Sequence, residues 1–255
     1  MQKIKQVIKR ITPEKVWTRL FRIKHFIKKS LKREGLTRKR YKWENNYADK
    51  NLRRKKYKSY SEYLKHQRSK LATIKEKWLP DYDIKYRTAL RERLLKQKIV
   101  KPKMSVLCLA ARIGTEVKSF LDLGCFAVGL DINPEKNNKY VVYGDFHDIQ
   151  FADNSVDVVF TNSLDHTFDF DRLIKEIKRV LKPNGFLILE IFKGGKEAFY
   201  DSNYYEAVAW DRIDDVLDIF IKSGFQVVRE IDFEYPWKGG RHVTLSLSKN
   251  DNAKT

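Results

Sequence analysis

The stretch SVLCLAARIGTEVKSFLDLGCFAVGLDINP, residues 105–134, decides the fold. An apolar run, VLCL, leads into a turn closed by Gly114, a helical segment follows, and a second apolar run ends on Asp131. The glycine and the aspartate are 131 − 114 = 17 positions apart. That interval suits a carboxylate that meets ribose hydroxyls at the tip of the second strand. The stretch therefore predicts the first half of a nucleotide-type α/β unit.

Strand-like runs alternate with helical patterns through the rest of the chain. Further strands are predicted at YVVYGD, SVDVVFTN and FLILEIF, and helices at DRLIKEIKRVL and IDDVLDIFIKSGF. The chain closes with FQVVREIDFEY and HVTLSLS, whose Pro-Trp-Lys-Gly-Gly connection favours an antiparallel pair. The predicted fold class is α/β: a Rossmann-like, doubly wound, seven-stranded and mainly parallel sheet with a C-terminal antiparallel strand pair, plus an α-helical N-terminal extension.

The formal charge of +20 is divided unevenly along the 255 residues. Residues 1–103 hold 35 Lys and Arg against 9 Asp and Glu, a net of +26, whereas residues 104–255 hold 18 against 24, a net of −6. Such a split indicates two parts with different roles. We therefore predict a basic helical extension or lid over 1–103 and a catalytic domain over 104–255, with the boundary near Pro102, because proline disfavours helix in the residue before it.

Several classes of protein and site are disfavoured by what the sequence lacks. It has two cysteines, which suit buried reduced thiols better than a disulfide framework. We find no apolar run of about 18 residues, no secretory signal and no Cys/His/Asp cluster with zinc-ligand spacing. We therefore expect a cytoplasmic protein without a metal site.

The turn after the first strand is poor in glycine. It reads Ala110-Ala111-Arg112-Ile113-Gly114, and a dinucleotide needs glycines there so that its pyrophosphate can approach the backbone. A P-loop is also absent, because no G-x-x-x-x-G-K-[ST] occurs. The turn thus favours a cofactor with ribose and adenine but no phosphate.

Five segments in order resemble those of class I S-adenosylmethionine-dependent methyltransferases with a type 11 methyltransferase domain. They are VLCLAARIG, AVGLDINP, GDFHDIQFADNSVDVVF, NSLDHTFD and RVLKPNGFLIL, within residues 106–248. The resemblance implies S-adenosylmethionine as cofactor. It assigns the ribose hydroxyls to Asp131, the adenine amine to Asp145 and the adenine ring to Phe146. The other cofactor-binding residues it implies are Ala110, Gly114, Ile132 and Asn162.

The chain departs from the family pattern at the cofactor turn. Cys108 replaces the usual acidic residue of the strand, and Ala110 and Arg112 replace glycines. We hypothesise that Arg112 or Glu116 contacts the methionine end of the cofactor. The alternative is that both side chains face solvent at the start of a helix.

His166 is the first candidate for a catalytic base. A hydroxyl nucleophile benefits from a base with a pKa near neutrality, which histidine supplies. His166 follows the fourth strand, where the family's substrate pocket opens, and Asp165 or Asn162 would orient it. The alternative is a histidine that caps the next helix or lines the pocket. His147 is expected on the adenine side, and Glu190 at the rim of the same pocket.

The basic half contains two kinds of pattern. Residues 1–34 alternate Lys and Arg with apolar residues, which suits a helix on an anionic membrane surface or one packed on the domain. Residues 36–58 mix basic pairs with aromatics, which can follow a phosphate backbone or grip a sugar or lipid phosphate. Helices predicted over 59–79, with a capping box from Ser59 to Glu62, and over 83–95 would cover the cofactor cleft.

The sequence thus predicts an S-adenosylmethionine-dependent methyltransferase. The expected acceptor is a hydroxyl on an anionic or membrane-associated molecule, such as a glycan or lipid-linked sugar. One alternative is an RNA methyltransferase that uses the basic segment, with nucleic acid as second choice of partner. Another is a non-catalytic cofactor-binding scaffold. If residues 1–34 form a helix on an anionic membrane surface, the protein associates peripherally with the inner membrane face. The sequence does not address the oligomeric state.

Overall fold

The computed structural model describes residues 41–47, 51–70, 79–198, 204–236 and 239–248. The chain divides into two compact units, Met1–Tyr41 and Lys42–Thr255. The amphipathic segment 1–34 and residues 71–78 of the predicted lid lie outside the described residues. The second unit begins at Lys42, so it includes residues 42–103 of the segment 1–103 that the charge pattern assigned to an extension.

Within the described residues the elements follow the predicted α/β alternation. The strands are β1 Trp43–Tyr47, β2 Leu52–Lys55, β3 Ser105–Leu109, β4 Phe126–Asp131, β5 Val141–Tyr143, β6 Val156–Thr161, β7 Leu181–Phe192, β8 Val208–Trp210, β9 Phe225–Phe233 and β10 Gly240–Leu247. The helices are α1 Tyr60–Arg68, α2 Leu79–Gln97, α3 Thr115–Leu121, α4 Phe170–Val180, α5 Gly195–Ala198 and α6 Ile213–Lys222, and a 3-10 turn covers Leu164–His166.

The main sheet has seven strands in the order β5-β4-β3-β6-β7-β10-β9. The first five of these are parallel, whereas β10 runs antiparallel to both β7 and β9. The predicted fold class, including the antiparallel pair at the C-terminus, is confirmed. Strand order reverses between β3 and β6, and ligands of such sheets bind at the carboxyl ends of the strands at this point.

The sheet is buried on both faces because side chains alternate along each strand. On β3, Leu107 and Leu109 join the core under α4 and α6, whereas Val106 and Cys108 join the core under α2 and α3. Both cysteines are buried and not disulfide-bonded. The two cores hold the strand ends, and therefore the loops that follow them, in fixed positions.

A second, three-stranded sheet has the order β1-β2-β8. Leu52 of β2 pairs with Trp210 of β8, and both are buried. The sequence analysis predicted a helical extension, so the strands at 43–55 are a correction. Their charged side chains masked the strand pattern, because only Leu52 and Lys55 in the LRRK strand face inward. The small sheet holds the basic segment against the loop 204–210.

The helices of the predicted lid differ from expectation at one junction. Ser59 caps α1 as predicted, accepting a hydrogen bond from the Glu62 amide at 3.2 Å. Pro80 was expected to end a helix, and Asp83 to begin the next. Instead α2 begins at Leu79 and includes Pro80. A proline is compatible with the first turn, where its missing amide hydrogen would have no helical partner.

A buried polar network fixes α2 to the sheet. The Glu190 carboxylate accepts hydrogen bonds from Arg93 Nε at 2.5 Å and from the Tyr86 hydroxyl at 2.6 Å, and lies 2.9 Å from His242 Nδ1. Burial raises the pKa of Glu190, but His242 and Arg93 more than offset this, so the pKa lies below its usual range. Glu190 was expected at the rim of the substrate pocket. It lies in the core instead, because it shares a face of β7 with Ile188, beneath α2.

Candidate functional site

The loop after β3 keeps the backbone shape of a glycine-rich turn although two of the family's glycines are replaced. Ala110 has a φ of 55° and Arg112 a φ of 44°, both left-handed, and Gly114 has a φ of 81°. Left-handed conformations are costly for residues with a Cβ atom. The Arg112 amide donates to Asp131 Oδ2 at 3.0 Å, and Asn138 Nδ2 donates to the Arg112 carbonyl at 3.0 Å. These bonds hold the strained turn in place.

Gly114 should be the least replaceable residue of this turn. A Cβ atom at Gly114 would lie 2.7 Å from Tyr140 Cβ, in addition to the strain of its positive φ. We expect Gly114→Ala to lower the free energy of unfolding by about 1–3 kcal/mol, measured by urea denaturation. Gly124→Ala is the control, since Gly124 has a φ of 76° but its Cβ would lie 3.3 Å from Pro102. Equal losses in both variants would show that crowding at Tyr140 has no effect.

Asp131 ends β4, which lies beside β3, one of the two strands between which the strand order reverses. Its carboxylate accepts hydrogen bonds from the amides of Arg112, at 3.0 Å, and Asn133, at 2.7 Å. Burial is the largest influence on its pKa, which is raised above the usual value despite these bonds. The two amides fix the carboxylate at the strand tip, where it can accept further hydrogen bonds from a pair of hydroxyls.

A cavity of about 40 Å³ opens beside Asp131. Six of the residues predicted for the site line it: Ala110, Arg112, Asp131, Ile132, Phe146 and His166. Five that the sequence analysis did not select also line it: Tyr63, Gln67, Lys70, Asn133 and Ser163. Gly114, Glu116, Asp145, Asn162 and Asp165 are not among its lining residues. Three of the additional residues, Tyr63, Gln67 and Lys70, come from α1 and the two positions after it.

Asp145 is engaged by protein donors. Its carboxylate accepts hydrogen bonds from the Tyr60 hydroxyl and, at 2.9 Å, from the His147 amide. Burial raises the pKa of Asp145, but the hydrogen bonds from His147 and Tyr60 outweigh it, and the net shift is downward. Phe146 stacks on the His147 ring, with centroids 4.5 Å apart. His147 thus lies beside Phe146, and its expected place on the adenine side stays a prediction.

Glu116 and Asn162 form a buried pair behind the loop. Asn162 Nδ2 donates to Glu116 Oε1 at 2.9 Å and to the Tyr86 hydroxyl at 2.8 Å. Burial raises the pKa of Glu116 to about 7. The alternative that Glu116 faces solvent is wrong, because its residue is only 7% exposed. Asn162 therefore connects the loop to the polar network beneath α2. Among the described residues, no hydrogen bond joins Asn162 to His166, the residue that it was predicted to orient.

His166 lies in the 3-10 turn after β6 and contacts two charged residues. Its Nδ1 is 3.1 Å from the Tyr205 carbonyl oxygen, which can only accept, so Nδ1 carries the proton and Nε2 the lone pair. Nε2 contacts Lys70 Nζ and lies 3.2 Å from Asp165 Oδ2. His166, Asp165 and Lys70 therefore form a compact cluster, of which the sequence analysis predicted the first two.

The cluster is poised for proton transfer near neutral pH. Burial, followed by the nearby charge of Arg112, lowers the pKa of Lys70 to about 8. Burial also raises the pKa of Asp165 to about 7 and, with the Lys70 charge, lowers that of His166 well below its usual value. His166 is thus neutral at physiological pH. Perturbed groups clustered beside a cavity are typical of functional sites.

The described residues contain neither a candidate metal centre nor a candidate membrane span. They contain no group of three or more His, Cys, Asp or Glu side chains arranged to hold a metal ion. None of the helices they form is long and apolar enough to cross a membrane.

Comparison with known proteins gives the same result as the fold. Residues 107–189 match the sequence model of a methyltransferase domain. The chain is similar to Burkholderia thailandensis 1,6-didemethyltoxoflavin-N1-methyltransferase, solved with bound 1,6-didemethyltoxoflavin and S-adenosylhomocysteine: the TM-score is 0.58 and the identity 14%, over 81% of this chain and 100% of that one. No curated protein sequence matches the chain.

Two further solved structures share the fold. A SAM-dependent methyltransferase from Aquifex aeolicus has a TM-score of 0.51 and 20% identity, over 66% of this chain and 98% of that one. The PH0226 protein from Pyrococcus horikoshii OT3 has a TM-score of 0.51 and 21% identity, over 65% and 91%. The domain match supports the family inferred from the sequence, and the solved structures show the same fold.

Proposed function

We propose that this chain, which carries a class I S-adenosylmethionine-dependent methyltransferase domain, methylates a hydroxyl group on an anionic acceptor. The observation that supports this is one cavity with two kinds of wall. Asp131 and Phe146 line it on the cofactor side, and His166 and Lys70 line it on the other. When bound, the cofactor supplies an electrophilic methyl group, so the protein has to align the nucleophile and accept its proton.

The residues that line the cavity fit the cofactor chemically, but the cavity is too small to hold the cofactor without a movement of side chains. A carboxylate at a strand tip suits the ribose hydroxyls, and Phe146 offers an apolar face to adenine. The cavity of about 40 Å³ is well below the 300–1,000 Å³ of typical ligand sites. Gln67 and Lys70 line it from the α1 side with long side chains, and we expect these side chains to move outward on binding.

The proton of the acceptor hydroxyl is assigned to the Lys70–His166 pair. His166 Nε2 has the lone pair facing the cavity cluster, but its low pKa makes it a weak base. Lys70, with a pKa of about 8, is the stronger base once it is neutral. A base with a pKa near the working pH is the most effective in general base catalysis. We therefore assign the base to Lys70 and its orientation to His166.

The acceptor is proposed to be anionic because the acceptor side of the site is cationic. Arg112 and Lys70 line the cavity. Burial lowers the pKa of the nearby Lys55 to about 8, although the charges of Glu206 and Asp165 act to raise it. Along the sequence, residues 1–103 carry a net charge of +26. A glycan or lipid-linked sugar bearing acidic groups suits these charges. An RNA acceptor would suit the same net charge, but no described feature favours stacked bases over a sugar.

Calorimetry with S-adenosylhomocysteine tests the cofactor half of the proposal and separates it from the scaffold alternative. We expect binding by the wild type, and a loss of affinity of about 10- to 100-fold in Asp131→Asn, since two charge-assisted hydrogen bonds to the ribose weaken. Asp148→Asn, which changes an exposed carboxylate on the loop beyond Asp145, is the control and should bind normally.

Two outcomes would count against the proposal. Absence of wild-type binding at millimolar cofactor would exclude an enzyme of this class. Binding without methyl transfer to any hydroxylated acid or glycan acceptor, under conditions where the cofactor saturates the site, would favour the scaffold.

A further inference from the structure

A second cavity, of about 190 Å³, lies beside the small sheet. Arg54, Lys55 and Lys56 of the β2 segment line it together with Glu44, and Thr167 and Phe168 line it from the loop before α4. A water molecule needs only about 10–15 Å³, so this cavity admits a chemical group much larger than one water.

The lining of this cavity carries excess positive charge. Three cationic side chains and one carboxylate give a formal balance of 3 − 1 = +2. Glu44 accepts a hydrogen bond from Arg54 Nε at 2.9 Å, and Lys55 donates to the Tyr204 carbonyl. Lys56 has an exposed side chain. Lys55 also lies near Glu206 and Asp165, whose charges offset part of this excess. A group with one negative charge therefore suits the lining, and guanidinium and ammonium groups are the usual ligands of phosphate.

Thr167 adds a buried polar atom to the same wall. Its residue is 0% exposed, and its Oγ1 has no hydrogen-bond partner among the described residues. A buried hydroxyl without a partner is unfavourable and needs an explanation, such as a ligand that completes it. A phosphate oxygen is an acceptor that this hydroxyl can satisfy.

Two consecutive residues connect this cavity to the methyl-transfer site. Thr167 directly follows His166, which lines the cavity beside Asp131, and consecutive Cα atoms lie about 3.8 Å apart. A group anchored at Thr167 would therefore hold the rest of a small acceptor close to the Lys70–His166 pair. Phe168 and Tyr57, with ring centroids 6.2 Å apart, provide apolar surface next to the basic residues.

We propose that this second cavity binds the phosphate group of the methyl acceptor, which makes the acceptor a phosphate ester such as a phosphorylated or lipid-linked sugar. This assignment rests on the proposed function, because the bound phosphate belongs to a methyl acceptor only if the neighbouring site transfers a methyl group. The free protein should nonetheless bind phosphate by itself. A soluble ester and a lipid headgroup present the same phosphate chemistry to the cavity, and the experiment below distinguishes them.

Titration of the full chain with inorganic phosphate and with glycerol phosphate, followed by calorimetry, tests the proposal. We expect the double variant Arg54→Gln/Lys56→Gln to bind at least about tenfold more weakly, since two charged contacts are lost. Arg53→Gln is the matched control, because Arg53 lies over the Trp43 ring and does not line the cavity. Thr167→Val should also weaken binding, while leaving the unliganded protein at least as stable, as a valine has no hydroxyl to satisfy.

The outcomes separate this proposal from the proposed function. Normal binding of S-adenosylhomocysteine with no phosphate binding, or equal weakening in Arg53→Gln, would overturn the phosphate site and leave the methyltransferase intact. Phosphate binding without cofactor binding would overturn the methyltransferase and leave the phosphate site intact. Flotation with phosphatidylcholine vesicles, with and without phosphatidylglycerol, distinguishes the sources: a lipid headgroup is indicated if the double variant loses vesicle binding, and a soluble ester if it does not.

Discussion

Replacing Arg93 with methionine is expected to lower the free energy of unfolding by about 3–5 kcal/mol, the usual effect of removing one partner of a buried ion pair. The Arg93 and Glu190 side chains are 8% and 0% exposed, with Nε and Oε1 2.5 Å apart. Methionine keeps an apolar stem, but it removes the guanidinium that lies over the Phe233 ring at 4.5 Å and leaves the carboxylate without its cation. Urea denaturation at neutral pH measures the change.

Arg87→Met is the matched control on the same helix. Arg87 also pairs with a carboxylate, that of Asp122, but the two side chains are 41% and 29% exposed. Solvent screens such a pair, and we expect a loss of about 0–1 kcal/mol. Arg93→Met/Glu190→Gln should recover part of the stability, because the uncompensated charge is gone. Similar losses for Arg93→Met and Arg87→Met would contradict the role assigned to the network.

The same network predicts a pH dependence of stability. The pKa of Glu190 is lower in the folded protein than its usual value of about 4.3. Such a group contributes stability above the pKa of the unfolded state, and the contribution is lost as the pH falls through the folded pKa. Without the Arg93 cation, the folded pKa should rise and the loss should begin at a higher pH. Denaturation curves of wild type and Arg93→Met between pH 3 and pH 7 compare the two.

The sheet could be predicted from the sequence because parallel strands buried on both faces form apolar runs that leave few alternatives. The position of Glu190 could also have been derived. Leu187, Leu189 and Ile191 face one core, so Glu190 must share the opposite face with Ile188. This alternation of two faces is visible in the sequence, whereas the expected place of Glu190 at the pocket rim rested only on its position near the strand end.

The contribution of α1 to the site could not be derived in this way. Tyr63, Gln67 and Lys70 lie more than 60 positions before Asp131, and no local pattern says over which strand ends their helix will pack. The left-handed φ values of Ala110 and Arg112 could not be derived from the sequence either. Their side chains suggested a different turn, whereas the hydrogen bonds to Asp131 and Asn138 preserve the turn that glycine would adopt. The departure from the family motif thus changes the side chains of the site but keeps its backbone.

Lys70→Met should reduce the rate of methyl transfer by about 10²- to 10⁴-fold, the usual contribution of a general base. In the wild type the lysine must be neutral to accept the proton. With its pKa at about 8, we expect kcat/KM to rise with pH, gaining about tenfold per pH unit below 8, and to level off above that value. In Lys70→Met this rise should be absent, since methionine does not titrate.

Lys65→Met is the control for this experiment. Lys65 lies on α1 with an exposed side chain, so its replacement removes the same charge from the same region without entering the cavity. Its pH profile should match the wild type. Melting curves of both variants establish that folding is intact, and the affinity for S-adenosylhomocysteine shows whether the cofactor side has changed.

His166→Gln separates the two members of the pair. If Lys70 accepts the proton and His166 orients it, this variant should lose turnover but keep a pH-dependent rise, shifted to a different pH because the neighbour of Lys70 has changed. If His166 were the base, the rise would disappear in His166→Gln and persist in Lys70→Met. A pH profile that is unchanged in both variants would exclude the pair from the proton transfer. The next candidate would then be Asp165, whose Oδ2 lies 3.2 Å from His166 Nε2. Its pKa of about 7 is also suited to proton exchange near neutral pH.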